Sequence, residues 1–204
     1  VLHRLPPRWK FLLLATGLYA AMGVIGVVVV RLWGEGLSSW NHPPATLEAW
    51  KIWISPLLSA GVLLSLALWF EDLFFSFREM RRVVASLLGA LPLGALWWLA
   101  FVSAVGEEVL FRGAIQPWVG LVGTSLLFGA LHVGPQGLFG AWSLWAAIAG
   151  FLLGWIYQRT GVLAVPILAH FLVNAVSLTM LRRDYLSFGL SESDLDESEE
   201  GDAT

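Results

Sequence analysis

Apolar positions in this chain fall in long unbroken runs, not in the alternation of a half-buried strand or the one-sided stripe of a helix on a soluble core. Phe11 to Val30 carries no charge and reaches the roughly 20 residues that a helix needs to cross a bilayer. A second run extends from about Trp50 to Phe70, bounded by Lys51 and by Glu71 and Asp72. The polar stretch between them, 31–49, contains Gly34, Gly36, Pro43 and Pro44, as a loop does. Arg78, Arg81 and Arg82, with Phe74, Phe75 and Phe77, then predict a basic loop or a short interfacial helix. The positive-inside rule places this segment in the cytoplasm, together with the N-terminus and its His3, Arg4, Arg8 and Lys10. Two intervening spans permit that.

From Val83 to Val122 the chain is again apolar. A single helix of that length would extend about 60 Å, twice the hydrocarbon thickness, so the run must break. Pro92 and the stretch Ser103 to Gly106 are the two candidates. The second is the expected break, with one helix before it and another carrying Glu107 to Trp118. Further helices are predicted over about Leu121 to Val133, ended by Gly134, Pro135 and Gly137, over Ala141 to Tyr157, and over Val162 to Leu181. Ala146, Gly150 and Gly154 repeat every four positions, which lets membrane helices approach closely. The predicted fold is all-α, a polytopic transmembrane bundle of about six to eight membrane helices. It divides into N-terminal helices and basic loop (1–82), a main membrane domain (83–181) and an acidic tail (182–204) too poor in apolar residues to fold alone.

Composition supports lipid as the solvent: 57% of the 204 residues are hydrophobic and 13% charged, against about 25% charged in an ordinary soluble domain. The first run is too long for a signal peptide and lacks a small-residue cleavage site, so it is read as a retained span. The net charge of −3 conceals a division, since residues 1–183 hold 12 basic and 7 acidic groups and the remaining 8 acidic groups follow Arg183. The basic surplus faces anionic headgroups, and no dense basic patch points to nucleic acid. Absence of cysteine excludes disulfides, a thiolate nucleophile and cysteine-ligated zinc.

Between Val83 and Leu181 the side chains of Asp, Glu, Lys, Arg or His type are Glu107, Glu108, Arg112, His132, Arg159 and His170. Arg159 belongs to a loop, which leaves five at membrane depth. Each Glu or Arg at a helix centre costs about 2.5 to 3.5 kcal/mol, so their helix must face protein or a water-filled cavity. Glu108 and Arg112 are four apart and share a face, whereas Glu107 points about 100° away. His170 and Asn174 share a face of the last helix, and Asn174 is one of only two asparagines in the chain. Glu107, His132, His170 and Asn174 can therefore converge from three helices. Interhelical glue accounts for a lone histidine or asparagine; a group of five ionisable residues with Asn174 marks a functional pathway.

HExxH and GxSxG motifs are absent. Instead, Glu107-Glu108-Val109-Leu110-Phe111-Arg112 resembles the EExxxR motif of the CAAX-protease and bacteriocin-processing family, also called the Abi or type II CAAX prenyl endopeptidase family. Phe128 to His132 resembles its FxxxH motif and His170 to Asn174 its HxxxN motif, in the family's order. The resemblance covers roughly Val83 to Leu181. It implies an intramembrane endopeptidase in which Glu107 and His132 activate water, His170 and Asn174 stabilise the oxyanion, and Glu108 and Arg112 support the site.

The substrate implied is a membrane-associated peptide or protein, with prenylation left open, and the location is the cell membrane of a prokaryote. Peptide hydrolysis needs a base, an acid for the leaving amine and donors to the oxyanion, and these residues supply all three without a cofactor. The alternative keeps the reaction but makes Glu107, His132 and His170 ligands of zinc. Two other classes remain beside it: a catalytically silent immunity or scaffold protein, and a proton-coupled transporter.

Overall fold

The computed structural model describes residues 6–33, 36–133 and 140–187. All regular structure among them is helical: α1 (Pro7–Trp33), α2 (Ala49–Leu73), α3 (Phe75–Leu88), α4 (Leu93–Glu108), α5 (Gln116–Leu131), α6 (Ala141–Thr160) and α7 (Ala164–Ser187). A π-helical segment, Val109–Ile115, joins α4 to α5, and a 3-10 turn, Leu37–Trp40, lies between α1 and α2. Helices α1, α2 and α7, and the helical rod Leu93–Leu131, are long and apolar enough to cross a membrane. The protein is thus an all-helical, multi-pass membrane protein. Large apolar side chains such as Leu14, Trp53 and Leu126 stand fully outward, where lipid replaces water as solvent.

Four apolar spans stand where six to eight membrane helices are expected. The difference arises from α3, from α6, which is not among these apolar spans, and from the rod. Helix α3 has arginines on one side and apolar residues on the other, the pattern of a helix lying in the interface. The rod is unbroken where the break is expected, at Ser103 to Gly106: α4 passes through that stretch without interruption. Gly106 instead sits against the backbone of Tyr19 on α1, where a Cβ would collide with the Tyr19 carbonyl. Its role is close helix approach, as in small-residue packing generally.

Pro92, the rejected candidate, is the N-cap of α4, a position where its missing N–H costs nothing. A second change of direction falls at Gly120, whose φ of 72° and ψ of 174° are open only to glycine. The helix proper therefore resumes at Leu121, as read from the sequence. At the other end α7 runs through Ser187, six residues past the expected boundary at 181. His3 and Arg4, the Gly134 to Gly137 stop and the tail after 187 lie outside the described residues.

Packing places the polar helices at the centre. Helix α4 lies between α1 and α7, α5 packs along α6, and α2 covers α7. One apolar cluster joins α2, α3, α6 and α7 around Leu63, Phe70, Phe77 and Trp145. Another joins α1, α3 and α4 around Leu12, Leu88, Leu96 and Leu99. The segment after the 3-10 turn is pinned across the bundle: Trp40 Nε1 donates to Gly113 O (3.2 Å), His42 N–H to Gly161 O (2.8 Å) and Leu163 N–H to Trp40 O (2.8 Å).

Candidate active site

Glu107 and Glu108 close α4, and the π-helical segment follows at once. Such widened turns are rare and recur at functional sites. Glu108 and Arg112 are wholly buried and paired, Nη1 to Oε1 at 3.0 Å, as their i,i+4 spacing predicts. Arg112 also donates through Nη2 to the carbonyl of Gly150 at 3.0 Å. The small residue serves that contact, because a Cβ on Gly150 would press on Phe128 at 3.2 Å. Four residues further along each helix the arrangement repeats, with Gln116 Nε2 donating to Gly154 O at 3.1 Å.

Glu108 has a second partner that spacing did not reveal. Its Oε1 also accepts from His170 Nδ1 at 2.8 Å, so one carboxylate oxygen ties α4 to both Arg112 and α7. His132 is anchored in a parallel way: its Nδ1 lies 2.7 Å from the carbonyl of Phe128. A carbonyl can only accept, so Nδ1 carries the proton, and in the neutral ring Nε2 is left with a lone pair. The same holds for His170 against the Glu108 carboxylate.

Both free Nε2 atoms face Glu107, His132 at 4.0 Å and His170 at 3.8 Å. Glu107 is buried, and its Oε2 has no hydrogen-bond partner among the described residues. Three acceptors thus surround one space, a disposition that needs a donor such as water between them. A cavity of about 200 Å³ lies there, lined by Glu107, His132, His170 and Asn174 with Tyr19 and Trp145. Asn174 donates through Nδ2 to Ser103 Oγ at 3.0 Å, which leaves a second N–H on the amide.

All six residues predicted from the sequence lie in this one cluster, four of them on the cavity and Glu108 and Arg112 behind it. The role implied for His170 meets a constraint. To donate to an oxyanion its Nε2 must also be protonated, giving an imidazolium between Glu107 and Glu108. As zinc ligands Glu107, His132 and His170 offer a suitable donor set, but bonds of about 2.0 to 2.1 Å in a tetrahedron hold ligand atoms roughly 3.3 Å apart. The observed 3.8 and 4.0 Å are wider, and no three such side chains among the described residues stand in metal-holding geometry.

Three contributions escaped the sequence reading. Phe128, which spacing places on the His132 face of its helix, also meets Arg112: the guanidinium lies 4.7 Å from its centroid and the His132 ring 4.3 Å. Ser103 was read as part of a helix break. Tyr19 comes from α1 and lines the cavity together with Glu107; the one available signal was a phenol in an otherwise charge-free span.

The sequence comparison bears on the same helices. Residues 89–176 match the family described as type II CAAX prenyl endopeptidase Rce1-like. Every motif residue from Glu107 to Asn174 falls within that segment, whereas Tyr19 and Leu63, which also line the cavity, do not. The matched segment thus contains the polar cluster, and α1 and α2 complete the enclosure of the cavity. A curated relative, "Uncharacterized protein YpbD" of Bacillus subtilis (strain 168), is 38% identical over 91 residues, 44% of this chain and 47% of the relative. The chain thus spans about half the length of that relative. No solved structure matches.

Proposed function

We propose that this chain is an intramembrane endopeptidase that hydrolyses peptide bonds of membrane-associated substrates with water activated by Glu107 and His132. The observation that carries the reading is the convergence of an unpartnered Glu107 oxygen and two histidine Nε2 lone pairs on a buried cavity. Water bound there loses a proton to Glu107 or His132, and the hydroxide attacks the scissile carbonyl carbon. Asn174 donates its free N–H to the oxyanion, joined by His170 when that ring is doubly protonated. The proton held by Glu107 or His132 passes to the leaving amine as the C–N bond breaks, restoring the site.

An apolar groove of about 430 Å³ adjoins the cavity, sharing Tyr19, Trp142, Trp145 and Asn174 with it and continuing past Leu64, Leu68, Leu99 and Leu178. It suits an apolar substrate segment, and the family description extends the reading to prenylated CAAX-type peptides. For the membrane topology, α4, α5 and α6 are assigned as separate crossings beside α1, α2 and α7. Gly120 turns the 39-residue rod, which is too long for one crossing, and the total becomes six.

Peptides released from membranes of cells carrying the wild-type chain or Glu107→Gln test the activity by mass spectrometry. A set of cleavage products lost in Glu107→Gln is expected. Identical product sets would leave a silent scaffold. The zinc reading is favoured by the two Nε2 lone pairs facing one carboxylate. Metal content of the purified, active protein decides it: far less than one zinc per chain and resistance to chelation are expected. Stoichiometric zinc whose removal stops cleavage and whose return restores it would make Glu107, His132 and His170 ligands.

A further inference from the structure

We propose that the pocket between α2, α3 and α7 is a binding site for the phosphate headgroup of an anionic phospholipid. The pocket encloses about 760 Å³ and is lined by Arg78, Arg81, Arg82, Ser86 and Tyr185, with Glu71 and Asp184 as its carboxylates. Arg81 is committed to the acidic groups, donating to Glu71 at 2.8 Å and to Asp184. Arg78 directs Nη1 to the carbonyls of Glu71 and Asp72, at 2.7 and 3.2 Å, so no carboxylate neutralises it through these bonds. Arg82 makes no hydrogen bond or ion pair with any described residue. Three cations against two anions leave a surplus of one positive charge, matching the single negative charge of a phosphodiester.

A second observation points to a ligand. Tyr185 is 3% exposed, and its hydroxyl is buried with no hydrogen-bond partner among the described residues. A buried hydroxyl without a partner is costly, and a phosphate oxygen is a strong acceptor. The tyrosine is fixed in place by Gly89, where a Cβ would lie 2.6 Å from the Tyr185 Cβ.

Lipid, not a soluble anion, is the occupant that fits the surroundings. The pocket lies where α2 ends and the amphipathic α3 begins, and α3 exposes Phe75, Val83 and Leu87 beside the arginines. Glu71, Arg81 and Leu181 also line the apolar groove described above, so a chain attached to the phosphate meets apolar surface on leaving it. A zwitterionic headgroup brings its own cation to a pocket that already carries three. The site is separate from Glu107 and requires no catalytic activity.

Native mass spectrometry of the full chain in a maltoside detergent, with phosphatidylglycerol or phosphatidylcholine of identical acyl chains, tests the proposal. Preference for phosphatidylglycerol by about fivefold or more is expected, and Arg82→Gln should lower its retention about fivefold with an unchanged melting temperature. Arg183→Gln, on α7 but outside the pocket, should leave retention unaltered. Equal retention of the two lipids by the wild-type chain would overturn the site without recourse to any variant. Equal losses in Arg82→Gln and Arg183→Gln would show diffuse attraction instead. A parallel titration with inorganic phosphate should show much weaker binding, and binding as tight as phosphatidylglycerol would make the occupant a soluble anion.

Discussion

Phe128 sits between a buried guanidinium and a histidine that the proposed mechanism uses, and this fixes what its side chain does. Its ring lies 4.7 Å from the Arg112 guanidinium and 4.3 Å from the His132 ring, which is tilted 35° to it. The carbonyl of the same residue holds His132 Nδ1, so residue 128 orients the imidazole through both backbone and side chain. Phe128→Leu keeps the carbonyl and removes the ring. Turnover is expected to fall about 100-fold with KM little changed, because a misplaced general base loses rate more than binding. Phe128→Tyr should restore most of the rate. Turnover in Phe128→Leu at the wild-type level would show that the ring only fills space.

At the scale of elements, the widened turn after α4 couples three helices through one carboxylate. Arg112→Ala leaves Glu108 buried without its guanidinium, a change that costs about 3 to 5 kcal/mol when a buried pair is broken. Glu108 retains His170, which places the expected loss toward the lower end of that range. The double variant Glu108→Gln with Arg112→Met should melt above Arg112→Ala, since no unpaired charge remains. Unfolding temperatures in detergent check the order, and Arg112→Ala melting with the wild type would remove the pair from the stability of the bundle.

The Glu108–Arg112 pair was legible in the sequence because it depends on helical periodicity alone. The meeting of Glu107 with His132 and His170 was legible only as a possibility, since spacing places residues on faces but does not bring faces together. Gly106 shows the reverse failure: a glycine among apolar residues reads equally as a break or as a close approach, and only the backbone of Tyr19 lying against it distinguishes the two.

Across the whole molecule, the cavity is a joint product of segments far apart in the chain. Tyr19 and Leu63 line it with the motif residues, so the boundary expected at 82/83 passes through the site. A chain beginning at residue 83 should insert yet show no cleavage, and coexpression of residues 1–82 should return part of the activity. Full activity from the shorter chain would mean that α1 and α2 merely cover it. The strap from Trp40 to Leu163 reinforces this dependence, tying the connection between α1 and α2 to the π-helical segment and to the turn before α7.

The two partners of Glu108 also differ in when they become available. Arg112 is separated from it by four residues and His170 by 62. At about 5 to 20 residues per second of synthesis, the arginine emerges within a second and the histidine only after roughly 3 to 12 seconds. The nascent α4 therefore enters the translocon with Glu108 already neutralised by its own helix, while Glu107 waits for partners not yet made. A nascent chain that stalls before residue 170 holds a membrane-inserted Glu108 with one of its two partners still missing.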